Sequence, residues 1–273
     1  MPAVSLARLK IQISYLADHF NHPEEFSKNL HAILDGYSDQ TIKLSQEAQA
    51  LQPGITRNKI PFVVNQKIEL GLISMVRQNP QLALTLVDYL WQDSSAEVRY
   101  LAAALLGMVP DPLLEEVVTR LRSWAPLEKE RVFLEVLFSK GSENLRHHAV
   151  EHWLDCIRGW CNSTLVSEQR LGLLALIPVL KDRSFENLPT VYAMSSNTII
   201  SHPSEIQWEI DQIIHALAVR SQTETAFFLR QMLSLNPDQG MVRLVRRSLP
   251  LFARDVRDKL RSSLQAVSTE KPE

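Results

Sequence analysis

Five segments of this chain repeat one pattern: EVRYLAAALLG from Glu97, KERVFLEVLFSKG from Lys129, EQRLGLLALIPVL from Glu168, IQWEIDQIIHAL from Ile206 and MVRLVRRSLPLF from Met241. Arg99, Arg131, Arg170, Gln207 and Arg243 are equivalent positions, spaced by 32, 39, 37 and 36 residues. Four of the five place an apolar residue three positions later (Ala102, Leu134, Leu173, Ile210), and all five do so six positions later (Leu105, Leu137, Leu176, Ile213, Leu249). That spacing is one stripe of an α-helix. A single striped helix cannot bury its apolar face alone, so a stripe that recurs with room for a second helix in each gap predicts stacked helical hairpins.

The fold class this implies is all-α, a HEAT-like α-solenoid of about fourteen helices. Eight glycines, 7% aromatic residues and few alternating β-branched runs argue against a sheet. Polar and Pro-containing clusters punctuate the chain and read as turns between helices. They include NHPEE at 21, QNPQ at 78, QDSSAE at 92, VPDP at 109, SKGSEN at 139, SHPSE at 201 and LNPDQG at 235. Residues 52–64 are the one long candidate loop. The layout expected is therefore an N-terminal helical cap over 1–64, a repeat array over 65–266 and a frayed tail over 267–273.

The first twenty residues carry Asp18 and His19 and lack the unbroken apolar core of a signal peptide, and no run is long enough to span a bilayer. A soluble, cytoplasmic protein without a membrane partner is expected. Cys156 and Cys161, five apart on one predicted helix, diverge and are expected to be free thiols.

A net charge of −2 gives no global pull on a polyanion, but Arg220 to Arg261 holds nine basic residues against four acidic ones. Arg254 with Asp258 and Asp255 with Lys259 are spaced to pair along one helix, which leaves Arg243, Arg246 and Arg247 to face a polyanion or to pair with carboxylates of the preceding repeat.

Three further features have bland readings that outweigh the chemical ones. HHAVEH (147–152) contains His148, Glu151 and His152 at the inverted zinc-protease spacing, yet no third acidic ligand follows and the string is expected on one repeat helix with Leu145, Ala149, Val150 and Trp153 inward. Trp124, Trp153, Trp160 and Trp208 are expected mainly as packing between hairpins, with base stacking as the alternative. The repeated arginines Arg99, Arg131 and Arg170 are expected to bridge neighbouring repeats. No nucleotide, nucleophile-elbow or CxxC fingerprint is present, so neither a cofactor nor a metal is expected.

Three stretches resemble the DNA alkylation repair family of HEAT-like-repeat DNA glycosylases: LVDYLWQDSSAEVRYLAAALLGMV (86–109), LLEEVVTRLRSWAPLEKERV (113–132) and WCNSTLVSEQRLGLLALIPVLKD (160–182). NHPEEFSKNLHAILDG (21–36) is similar in layout, and the likeness spans about two thirds of the chain. The family's aromatic-rich string supplies a Trp that contacts the lesion nucleotide and an Asp that stabilises the developing oxocarbenium charge. Here that string reads SWAPLEK, with Ala125 at the second Trp and Lys129 at the Asp; Glu128 or Glu130 substitutes only after a shift in register. In the later motif Ser167 replaces a family Trp and Thr164 an Asp, while Trp160, Ser163, Gln169 and Arg170 are kept.

What the resemblance implies is a scaffold with its catalytic Trp and Asp pattern mostly gone. Nucleic-acid contacts are assigned to Trp124, Trp160, Arg170, Arg243, Arg246 and Arg247, and no residue is assigned a catalytic role. The partner expected is the DNA backbone, through a concave basic groove, or else a protein. The alternatives are an active alkylpurine DNA glycosylase using Glu128 or Glu130, and a protein-interaction scaffold.

Overall fold

The computed structural model describes residues 5–38 and 60–269, and among these the chain is helical throughout, with no strand. Fifteen α-helices follow in order: α1 (Leu6–Asp18), α2 (Pro23–Tyr37), α3 (Phe62–Gln78), α4 (Pro80–Leu90), α5 (Ala96–Leu106), α6 (Leu114–Trp124), α7 (Arg131–Val136), α8 (Glu143–His148), α9 (Val150–Cys161), α10 (Val166–Lys181), α11 (Leu188–Ser201), α12 (Gln207–Arg220), α13 (Gln222–Leu235), α14 (Gln239–Ser248) and α15 (Arg254–Thr269). Most of the punctuation read from sequence falls at real boundaries, and the chemistry is local. Ser95, Ser221 and Asp238 accept from the backbone N–H of Val98, Glu224 and Met241 and so cap α5, α13 and α14. Pro23 and Pro80 open α2 and α4, where a missing N–H costs nothing. Most of the candidate loop at 52–64 lies outside the described residues, but its last three residues already belong to α3. The C-terminal helix runs to Thr269, three residues beyond the point where fraying was expected, because nothing between Ala266 and Thr269 breaks a helix.

The chain packs as two compact units, residues 1–153 and 154–273. Within the first, α1, α3, α5 and α7 pack in series, and α2 packs on α4 in a second row. Within the second, α10, α12 and α14 form one row and α11, α13 and α15 the other. This two-row stacking is what the repeated stripe demands. Leu105, Leu137, Leu176 and Ile213 are fully buried, as are Ala102, Leu134, Leu173 and Ile210 one turn earlier. Leu249 is half-buried, because Pro250 ends α14 and the backbone tightens into a 3-10 turn over Leu249–Leu251.

Two readings from the sequence are corrected. SKGSEN does not form a loop: Leu137–Gly141 continue α7 as a π-helical turn, and Gly141 is buried against Leu106, Leu121 and Leu137. HHAVEH does not lie on one helix either, since Ala149 (φ −144°, ψ 45°) interrupts the chain between α8 and α9. His148 turns to Asp111 (3.8 Å) and His152 to Glu115 (2.8 Å), both exposed pairs with the preceding helical segment. Among the described residues no three His, Cys, Asp or Glu side chains gather as metal ligands. No described helix is long and apolar enough to cross a membrane. Neither Cys156 nor Cys161 is in a disulfide, and burial pushes the Cys161 thiol up to about 12.

The π-helical turn docks on the end of α5 through Gly107. A Cβ built there would lie 1.9 Å from the Lys140 carbonyl oxygen, while Asn144 donates its backbone N–H to the Gly107 carbonyl and its side-chain amide to the Val109 carbonyl. Gly107→Ala is therefore expected to destabilise the first unit by about 1–3 kcal/mol as an overpacking change, seen as a lower melting temperature. An unchanged melt would contradict this close approach.

Candidate nucleic-acid interface

In the first unit two residues of the string that resembles the family's active one, Trp124 and Glu128, meet one aromatic cluster. Trp124, at the end of α6, stacks face to face on Trp91, at the end of α4 (5.1 Å between centroids, 7° between planes), and Phe133 of α7 meets Trp91 edge-on at 6.4 Å. The Arg99 guanidinium from α5 enters between them, 4.4 Å from the Trp91 ring and 3.7 Å from the Phe133 ring. An arginine in this position gains from both ring faces and is well shielded from water. Its charge is met by Glu128, which accepts from Arg99 Nη2 and, through its other oxygen, from the Glu130 backbone N–H at 2.7 Å. The side chains of Arg99 and Glu128 are 14% and 9% exposed.

The neighbours of Glu128 point elsewhere. Ala125 is fully buried in the 3-10 turn after α6, Leu127 is largely exposed, and Lys129 faces solvent. A carboxylate does occupy this corner, then, but it comes from the residue before Lys129 and is neutralised by an arginine 29 residues earlier.

A second polar cluster in this unit sits on the π-helical turn, where Lys140 donates to Glu69 of α3 at 3.1 Å. Burial alone lowers the Lys140 pKa, but the hydrogen bond and charge of Glu69 outweigh it and the net direction is up. Tyr100 beside them is also raised, by burial first and then by Glu69. Arg120 of α6 binds Asp88 of α4 with two parallel hydrogen bonds of 2.7 Å, and its pKa is raised by that hydrogen bonding.

The second unit repeats the arrangement of arginine and carboxylate across a repeat. Arg170 of α10 donates to Glu209 of α12 at 2.8 Å, and the Glu209 side chain is 5% exposed. Gln169 donates to the Ser163 carbonyl at 2.9 Å and thereby ties the loop before α10 to its first turn. Trp160 is buried. The bridging expected of the repeated arginines holds for Arg99 and Arg170, and Arg131 pairs with Glu135 one turn along its own helix at 3.5 Å.

Arg247 of α14 reaches back to α12, donating to Asp211 (2.9 and 3.1 Å) and to Gln207 (2.8 Å). Arg243 and Arg246 are exposed, with no carboxylate in ion-pair reach among the described residues. Asp258 pairs with Arg261 three residues on.

A family model described as DNA alkylation repair enzyme matches residues 66–248, about two thirds of the chain. The chain belongs to the DNA alkylation repair enzyme family. No curated protein and no solved structure matches it. The family match runs from α3 to the end of α14 and so takes in the aromatic cluster around Arg99 and the rung between Arg170 and Glu209.

Sequence reasoning did not single out Trp91 or Phe133 as walls around Arg99, nor Glu209 and Asp211 as partners of Arg170 and Arg247. Trp91 stands inside the "LW" of the resembled repeat, and that was a usable signal. The carboxylate partners lie 39 and 36 residues from their arginines, and only the phase of the stacked hairpins brings them together.

Proposed function

We propose that this family member holds nucleic acid by its phosphate backbone and does not excise alkylated bases. The observation that carries the reading is the state of Glu128. Excision needs an anion near the sugar as the C–N bond breaks, and Glu128 is 9% exposed with its charge already matched by Arg99, whose guanidinium lies against two aromatic rings. Lys129, at the position where the resemblance puts the family's Asp, would add a positive charge where the transition state develops one. On α14 the second unit offers a polyanion the exposed pair Arg243 and Arg246.

Binding of this kind rests on counterion release, so it is weak, indifferent to sequence and weakened by salt. In a fluorescence-anisotropy titration with a duplex of about 20 base pairs, two phosphate contacts give a slope of roughly −2 in log K against log salt. Arg243→Glu combined with Arg246→Glu is expected to abolish binding and leave the helical circular dichroism unchanged, because exposed charges contribute little to folding. Absence of binding even at low salt sinks the reading and leaves a protein-interaction scaffold.

A further inference from the structure

A groove of about 620 Å³ lies between the C-terminal halves of α10 and α12 in the second unit. Its charge is one-sided. Lys181, Arg183, His215 and Arg220 line it, and no carboxylate does. Lys181, Arg183 and His215 are exposed, and no ion pair engages them among the described residues. The two acidic residues nearest in sequence are committed elsewhere: Asp182 accepts from the backbone and hydroxyl of Ser184, and Asp211 accepts from Arg247.

The carbonyls at the C-terminus of α10 would normally make this end of a helix unfavourable to an anion. Arg220 removes that obstacle by donating to the Leu180, Asp182 and Phe185 carbonyls. The walls between the charges are aliphatic, formed by Ile177, Ala216 and Val219, and Val219 is 72% exposed.

We propose that this groove docks an acidic segment of a protein partner that places aliphatic side chains between its carboxylates. The positive rim selects negative charge. Val219 selects the class of macromolecule, because an exposed apolar patch rimmed by charge gains from burial against Leu or Ile and gains nothing against a phosphodiester. A single strand would call for aromatic surfaces on which bases stack, and the groove has none. A peptide helix laid along α10 and α12, with acidic and aliphatic residues alternating along one face at one-turn spacing, matches both properties. The inference does not depend on the reading of Arg243 and Arg246.

The test is selection of phage-displayed random peptides of about twelve residues on the full chain, followed by anisotropy with the enriched peptides. Enriched sequences are expected to combine Asp or Glu with Leu, Ile, Val or Met. Lys181→Glu with Arg183→Glu, and separately Val219→Asp, are expected to weaken them by about tenfold or more while circular dichroism and melting stay as in the parent. No enrichment, enrichment without acidic residues, or equal binding to Val219→Asp overturns the proposal. So does a DNA duplex that displaces the peptides and itself loses affinity in Val219→Asp, which would make the groove a nucleic-acid site.

Discussion

Glu128→Ala is expected to lower the unfolding free energy by about 3–5 kcal/mol, the usual cost of stranding one charge of a buried pair. Arg99 is what would be stranded. Its side chain is 14% exposed, its guanidinium is flanked by Trp91 and Phe133, and among the described residues its ion-pair partner is Glu128. Removing both charges should behave differently. Arg99→Met with Glu128→Leu is expected to be roughly neutral or mildly stabilising, since paired burial of charge gains little over apolar packing of similar volume. Chemical denaturation of the three proteins measures the difference. A Glu128→Ala protein as stable as its parent, or more stable, would point instead to a strained carboxylate kept for chemistry, because residues held for function often lower stability.

The second large effect lies in the stripe that revealed the fold. Leu176 is fully buried in α10, and Leu176→Ala is expected to cost about 2–5 kcal/mol, the transfer and cavity terms together. Leu249 occupies the same repeat position but is half-buried in a 3-10 turn, so Leu249→Ala is expected to cost roughly 1 kcal/mol, the centre of the range for ordinary substitutions. Urea titration of the two variants separates them. Equal losses would mean that the last repeat closes on its neighbour as the internal ones do.

These residues also show how far the sequence could be read. Leu105, Leu137, Leu176 and Ile213 are buried where the period put them, because a stripe and its partner face are properties of one helix and its spacing. Leu249 escapes because Pro250 changes the local geometry and ends the helix before it. Gly141 was read as punctuation, yet it is a packing glycine inside a π-helical turn, and no composition rule separates those two uses. The break at Ala149 has no Gly or Pro to announce it. In the candidate interface, packing for Trp124 and Trp160 and bridging for Arg170 were legible, but the partners were not: Trp124 stacks on Trp91 and Arg170 is a rung to Glu209, each a neighbour in another helix, while Trp160 is buried. The same holds for Arg247, whose partner Asp211 is set by how α14 lies on α12.

The most direct measurement of the central claim is release of 7-methylguanine and 3-methyladenine from methylated DNA by the purified full chain. With Lys129 where the resemblance places the family's Asp and Glu128 paired with Arg99, release is expected to stay at the level of DNA alone. Release above that level, lost in Glu128→Gln or Glu130→Gln variants that remain folded, would contradict the account and make this chain an active glycosylase.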